Sequence, residues 1–440
     1  MANGKNGKGK NGNEKLKIGF LASYPPQTGG VTTIATRMAS YLSKMGHETH
    51  FVGYDFFENT PELESEGLRL HTIDRMGFPN LPNADDQPYT WLLASKLHEV
   101  HKNVGLDIVH AHFAIPFALS TYLAQQSSRA EGRGFPYVVT GHGTDIHTYG
   151  DHEDINPMMR LALENADAVT YVGKSLLEKA EFPQEMGGLG IRKRGKVIEN
   201  FVETDIFYPE KTNLRQKLRI PEEAFVIGHV SNFSAIKQTD YLFRLAENLS
   251  LRGELDDTYF LLVGYGQKKD ELERKVHAAG YADHFKFLGD LDAVGVRQAL
   301  SAMDFSSLFS KREGGSPPLV ILESCACGTP VIGTNVDGIN SFIENGVNGF
   351  LFNQEYVSQD VFSDDIQDRD VNRFAEIVQK AKRMDSGLVD KMNLRAFNYV
   401  VANRSIDTVM RKYMDVYRSA INEYTLYRDI PEMVSQPVTI

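Results

Sequence analysis

Cysteine is nearly absent from this chain, which holds two in 440 residues, Cys325 and Cys327. Spaced C-x-C inside an apolar run, they make neither a zinc ligand set nor a secreted disulfide framework. They read as small core residues of a protein in a reducing compartment, which predicts a cytoplasmic location. Long hydrophobic runs are missing too, none approaching the roughly 20 residues that span a bilayer. So is a surplus of positive charge. Lys and Arg number 47 against 58 Asp and Glu, a net charge of −11, and that excludes the basic footprint of a nucleic-acid binder. The opening MANGKNGKGKNGNEK lacks the apolar centre of a signal peptide, and its Gly, Asn and Lys content predicts a disordered tail over residues 1–15.

What is present is an ordinary globular composition, 42% hydrophobic and 24% charged, in a chain longer than one core usually serves. Apolar runs of strand length alternate with helical periodicity. Lys17 to Ser23 reads as a strand, Val31 to Met45 as a helix and Thr49 to Tyr54 as a strand, with Gly29-Gly30 in the first turn. Strands at Asp107 to His110, Pro136 to Thr140, Ala168 to Val172 and Lys196 to Ile198 alternate with helices at Pro116 to Gln125 and Pro157 to Asn165. Phe207 to Pro221 reads as a connector, after which the pattern restarts at Phe225 and runs to the strand Phe305 to Leu308. Asp360 to Asp370 reads as an acidic surface loop, and Val371 to Tyr424 as helical. The expectation is α/β: two doubly wound, Rossmann-like parallel sheets, with ligands in a cleft at their strand C-termini. The domains expected are 16–207 and 208–404, followed by 405–440 as a C-terminal helix crossing back to the first domain, plus a tail.

The stretch from Ser310 to Asn340, SKREGGSPPLVILESCACGTPVIGTNVDGIN, concentrates the chemistry. A charged, glycine-rich loop opens onto an apolar helix, Leu319 to Ala326, that Gly328-Thr329-Pro330 stops. Free backbone N–H groups and the positive end of the helix dipole suit a phosphate there. Glu323, about one turn in, could reach the hydroxyls of a ribose. Glu313 and Glu323 flank the loop as paired carboxylates, for acid–base work or for holding a sugar. Lys237, after the turn Ser231-Asn232-Phe233, is a cation for a diphosphate, and Lys311 and Arg312 are alternatives. His142, in GHGTD at the end of a strand, is the candidate histidine. Asp145 either caps the following turn or orients it. The lone GxG at Gly264 and Gly266 counts for little.

Several of these stretches are shared with a known family. HAHFAIPFALS (110–120), TGHGTDIHTYG (140–150), MMRLALENADAVTYV (158–172), IENFVETDIF (198–207), HVSNF (229–233) and LVILESCACGTPVIGTNVDGI (319–339) resemble the retaining glycosyltransferases of family 4, from about Lys17 to Tyr424. Within that family they resemble the branch that glycosylates malate. The resemblance implies the GT-B fold, two facing Rossmann-like domains with a cleft between them, and transfer of a hexosyl group to a hydroxyl. It implies UDP-N-acetylglucosamine as donor and L-malate as acceptor. A glycan or lipid-linked acceptor, or a non-catalytic nucleotide- or partner-binding protein, are the alternatives. By motif match, His142, Lys237 and Glu313 are implied as catalytic. Gly30, Asn232, Arg312, Leu319, Val320 and Glu323 are implied for the donor, and Thr140, Arg160 and Phe113 for the acceptor. Arg160 suits a carboxylate, which its fork can grip bidentately. No metal or other cofactor is implied, and a homo-oligomer is compatible with the pattern. The chain departs from the family at Ser234, where an arginine usually stands, and at Phe113, where the malate branch has tyrosine. It also departs at Val31 and Thr32, in place of small residues, and in the ten-residue separation of Glu313 from Glu323.

Overall fold

A computed structural model describes residues 15–23, 29–54, 64, 66–73, 89–355 and 366–428. The expected tail, apart from Lys15, lies outside these residues, as do residues 24–28 of the first glycine loop and 360–365 of the acidic segment. The chain forms two compact units, one from the residues up to Ile198 together with those from Met410 on, the other from Glu199–Val409.

The first unit runs β1 (Lys17–Leu21), α1 (Gly30–Lys44), β2 (Glu48–Tyr54), β3 (Leu68–Ile73), α2 (Tyr89–Val104), β4 (Ile108–His112), α3 (Leu119–Ala130), β5 (Tyr137–Gly141), α4 (Asn156–Glu164), β6 (Ala168–Tyr171), α5 (Lys174–Glu181) and β7 (Gly195–Val197). Its strands are all parallel in the order β3-β2-β1-β4-β5-β6-β7. Every residue of β4 and β5 is buried, as helices on both faces require of a parallel sheet. On α2, Leu93, Leu97 and Val100 recur at helical spacing and enter the core beside Leu106 and Phe117.

The second unit runs α6 (Leu214–Lys217), β8 (Phe225–Val230), α7 (Asp240–Leu251), β9 (Thr258–Val263), α8 (Lys269–Ala278), β10 (Phe285–Phe287), α9 (Ala293–Ser301), β11 (Phe305–Leu308), α10 (Leu319–Ala326), β12 (Val331–Thr334), β13 (Gly349–Phe352), α11 (Asp368–Lys382) and α12 (Ser386–Arg404). The sheet is again parallel, in the order β10-β9-β8-β11-β12-β13. Its core is aromatic. Phe309 packs edge-on to Phe374 at 4.9 Å and against Tyr241 at 5.2 Å. α13 (Ile406–Arg428) closes the described chain.

Several expectations need correcting. β3, α2, α5 and β13 were not expected, and α6 falls inside the stretch read as a connector. The helix foreseen from Pro116 starts at Leu119, after a wide turn over Ala114–Ala118. The acidic loop ends sooner than expected, because Asp368 to Asp370 form the first turn of α11, where carboxylates favour the helix dipole. Asp370 is buried there, and both its oxygens accept from Glu355 N–H at 3.0 Å. The end helix expected from about Ser405 does begin there, at Ile406, and Val202 marks the break by inserting between Arg404 O and Ile406 N at 2.9 and 3.0 Å. The connector is docked, with Arg215 bonded to Ala302 O and paired to Asp304 at 2.8 and 2.9 Å.

The lone GxG has a definite structural purpose. Gly264 holds φ 125°, and a Cβ on it would stand 1.9 Å from Ser231 O in the turn that follows β8. Gly264→Ala therefore forces both backbone strain and displacement of that turn. A cost of about 3 kcal/mol is expected. It would be read as a clear drop in the apparent Tm against the parent, and an unchanged Tm would contradict the geometry.

Candidate active site

In a doubly wound sheet, neighbouring strands whose crossovers run to opposite sides leave a crevice beyond their carboxyl ends. In the second unit those strands are β8 and β11. Buried His229 ties them together, with Nδ1 donating to Ser307 O at 2.9 Å and Nε2 meeting Ser231 Oγ at 2.7 Å. The loop after β8 carries Lys237 and the loop after β11 carries Ser310 and Glu313. Lys237 Nζ lies 2.5 Å from Glu313 Oε1 and 3.3 Å from Ser310 Oγ. The pair is largely shielded, with 20% and 13% of the two side chains exposed. Lys311 N–H donates to Ile236 O at 2.9 Å, and Thr334 Oγ1 donates to Ser310 O at 2.8 Å, so both loops are braced. Gly338, at φ 89°, lets the 336–338 turn approach, since a Cβ there would lie 3.0 Å from Glu313 Cβ.

α10 starts directly after this loop. Its N-cap residue is Pro318, and no side chain caps it. Ile321 N–H reaches Pro318 O at 3.0 Å, while Leu319 and Val320 are half-exposed and their N–H groups precede any acceptor within the helix. Glu323 lies in the second turn rather than the first. Its i, i+4 relation to Leu319 keeps it on the same half-exposed strip. Asn232 and Arg312 are exposed on the two loops, and Arg312 is in no ion pair among the described residues. The structure thus brings Lys237, Glu313 and the start of α10 into one unit.

In the first unit the switch lies between β1 and β4. Gly29 and Gly30 open α1, again without a side-chain cap, and a Cβ on either would meet no described atom within 4 Å. β4 ends in His112 and β5 is followed by His142. The parallel register sets His112 beside Thr140. His112 Nδ1 and His142 Nε2 lie 2.9 Å apart, with the rings stacked at 5.1 Å. Phe113 meets the His142 ring edge-on at 5.4 Å and holds φ 77°, a left-handed conformation that costs a bulky residue on the order of 1–3 kcal/mol. Asp145 resolves the choice left by the sequence. Fully buried, it accepts from the backbone N–H of Ala114, His142, Gly143 and Ile146 at 3.0–3.1 Å. It shapes the loop and does not touch the His142 ring.

Thr140 is placed differently from a ligand contact. It is 0% exposed, and its hydroxyl is engaged by His110 Nε2 at 2.7 Å and Thr170 Oγ1 at 2.6 Å, with Tyr413 sharing the network. It supports the histidines from inside the sheet. Arg160 pairs with Glu164 at 3.3 Å and lines a cavity of about 490 Å³ with Arg192 and Arg194. None of its recorded partners is His142 or Phe113. Sequence reasoning missed His112 and His110. The available signal was HAH on a strand, whose alternate residues share a face.

Burial lowers the imidazoles of His110, His112 and His142, His110 to about 3, and the rings also disfavour charge on one another. The folded state therefore binds fewer protons than the unfolded chain. Stability is full above about pH 6.5 and falls as pH drops towards the folded values, by about 1.4 kcal/mol per pH unit for each ring. Thermal unfolding followed from pH 8 to 5 should show this acid loss, and His142→Asn should flatten it by one ring's share.

Residues 28–206 match the family model described as Glycosyltransferase Family 4, and residues 210–373 match that of Glycosyl transferases group 1. The chain is 32% identical over 342 residues to N-acetyl-alpha-D-glucosaminyl L-malate synthase of Bacillus anthracis, covering 77% of this chain and 83% of that one. It is 30% identical to D-inositol 3-phosphate glycosyltransferase of Stackebrandtia nassauensis, over 73% and 75%. Among solved structures, HepE of Anabaena in complex with UDP and glucose is similar at TM-score 0.66 and 20% identity, over 92% of this chain and all of that one. A glycosyltransferase from Rickettsia africae is similar at TM-score 0.69 and 18% identity, over 92% and 99%. Among the described residues no helix is long and apolar enough to cross a membrane, and no group of three or more His, Cys, Asp or Glu could hold a metal ion. Two parallel-sheet units of the GT-B fold and a homologue matched across most of both chains give one conclusion: this protein belongs to the family 4 glycosyltransferases.

Proposed function

We propose that this glycosyltransferase moves N-acetylglucosamine from UDP-N-acetylglucosamine to the hydroxyl of a small anionic acceptor, L-malate, with retention at the anomeric carbon. The observation that carries the donor side is the uncapped start of α10 beside the braced Lys237. The acceptor class is supported by two relatives named for small hydroxylated anions, a malate and an inositol phosphate. Arg160, in a cavity it shares with Arg192 and Arg194 and with Glu181 and Glu185, is the cation we assign to an acceptor carboxylate, which would have to compete with Glu164 for it. The buried thiols of Cys325 and Cys327 fit a cytoplasmic reaction.

The hard step is departure of UDP, which builds negative charge on the β-phosphate. The N–H groups of Leu319 and Val320, the dipole of α10 and the Lys237 ammonium are the preorganised positive groups for that charge. Glu323, one turn along the same strip, would take the ribose hydroxyls. The phosphate oxygen that leaves can accept the acceptor's proton on the same face, so the new bond forms on the side the old one left. Glu313, held by Lys237, would meet hydroxyls of the transferred sugar. His142, by its family motif, is the residue we assign to the sugar.

The test is UDP release from a panel of UDP-sugars with and without L-malate, with the product mass and anomeric configuration determined by spectrometry and NMR. UDP-N-acetylglucosamine with malate should be preferred and the product should be the α-glycoside. Lys237→Ala should lower kcat by about 10²-fold or more, Glu323→Ala should chiefly weaken UDP binding, and Arg160→Lys should raise KM for malate alone. Absence of release with every sugar, with Glu323→Ala binding UDP like the parent, overturns the reading. Turnover with a glycan or lipid-linked acceptor and none with malate overturns the acceptor.

A further inference from the structure

The ring pair at the end of β4 and β5 has a hydrogen-bond imbalance. His112 is 0% exposed, its Nδ1 is 2.9 Å from His142 Nε2, and its Nε2 is buried with no partner among the described residues. His142 is only half-buried, and its Nδ1 has no hydrogen bond to any described residue. One proton lies between the two rings, and its owner decides what His142 presents on its accessible side. If His142 Nε2–H donates, His112 must carry its own proton on Nε2, where no acceptor exists among the described residues. The neighbouring rings offer no substitute. Phe20 and His110 lie near-parallel to His112, at 22° and 32°, so neither turns its π face to an in-plane N–H. If His112 Nδ1–H donates instead, only a lone pair is left on Nε2. Surrounding C–H groups can partly satisfy a lone pair but give an orphaned N–H nothing. His110 is not in this position, because both its nitrogens are engaged, by Tyr417 Oη and Thr140 Oγ1 at 2.7 Å each.

We propose that His112 is a positioning residue that fixes His142 as the Nδ1–H tautomer, so that His142 presents a hydrogen-bond donor, not a base, at the carboxyl end of β5. The consequence for the reaction rests on the reading that His142 faces the donor sugar. There it selects an oxygen that accepts, such as a sugar hydroxyl, and it cannot take the acceptor's proton through that nitrogen. That task falls to the departing phosphate.

The tautomer is measurable without turnover. In the full-length protein with ¹⁵N-labelled histidine at pH 8, long-range ¹H–¹⁵N spectra separate pyrrole-type from pyridine-type nitrogens, and His142→Asn assigns the His142 signals. Expected is a pyrrole-type Nδ1 with a pyridine-type Nε2; the reverse pattern overturns the proposal. His112→Asp puts an acceptor where the donor stood. It should turn His142 into the Nε2–H form and lower kcat for UDP release with sugar and acceptor by about 10²-fold, with Kd for UDP unchanged. His112→Asn, whose amide N–H₂ can replace Nδ1–H, should restore the parent's tautomer and most of the lost kcat. If His112→Asp does not fold, the parent spectrum alone decides. A parent with the Nδ1–H pattern but no transfer activity would sink the function proposed above and leave this assignment standing. Full activity with a flipped tautomer in His112→Asp would sink the mechanistic role assigned to His112.

Discussion

The ion pair between Lys237 and Glu313 is the contact on which the strand-end loops of the second unit depend, because it joins the loops on either side of that sheet's switch point. As a source of stability it is modest. Two charges at 20% and 13% exposure are partly stripped of water, and their attraction does little more than repay that cost. Its value is positional. A lysine has four rotatable bonds and ordinarily waves in solvent, yet here Glu313 and Ser310 hold the ammonium in one place before any substrate arrives. Preorganisation of this kind separates a cation that stabilises a transition state from one that merely attracts an anion.

The first unit solves a similar positioning problem by the opposite chemistry. Among the described residues, no charged group shifts His142; burial alone does. Its strand ends carry three imidazoles kept neutral by burial, and one buried carboxylate whose four N–H partners shape the loop. Neutral rings stacked at 4.2 and 5.1 Å can be packed tightly because none repels another. Protonating one would set charges against each other in a region with little water to screen them. The strand ends of the second unit thus carry fixed charge and backbone dipoles, and those of the first carry uncharged hydrogen-bond geometry and aromatic surface.

Much of the fold was legible because short apolar runs and helical periodicity report burial directly. Leu319 to Ala326 was bounded to the residue, as an apolar run between Pro318 and Gly328 has few alternatives. What escaped notice was short, edge-placed or set off by polar sequence. β3 reads Leu-Arg-Leu-His-Thr-Ile and lies at the sheet's edge, with Arg69 and Thr72 exposed. β13 has four residues, and α2 follows the polar, proline-bearing stretch Pro79 to Pro88. Within the site, residues near each other in sequence were found and residues brought together by strand register were not. His112 and His142 are thirty apart in number, and only the β4–β5 pairing makes them neighbours. Likewise, the ten-residue gap between Glu313 and Glu323 looked irregular, but Glu313 still reaches Lys237 from its loop.

The same pair constrains how a diphosphate could be held. With Glu313 closed on Lys237, the formal charge of the two is zero, and the positive groups left on this side are the helix terminus, worth about half a charge, and Arg312 on the loop before α10. An arginine at position 234 would have supplied more, but the residue there is Ser234. An ammonium has three N–H donors, so Lys237 can keep Glu313 on one of them and turn another to a phosphate at Leu319 and Val320. The Glu313 carboxylate then still has lone pairs for hydroxyls of a sugar attached to that diphosphate. On this reading the pair does not have to open, and the same contact that fixes the cation also leaves an acceptor pointing at the sugar.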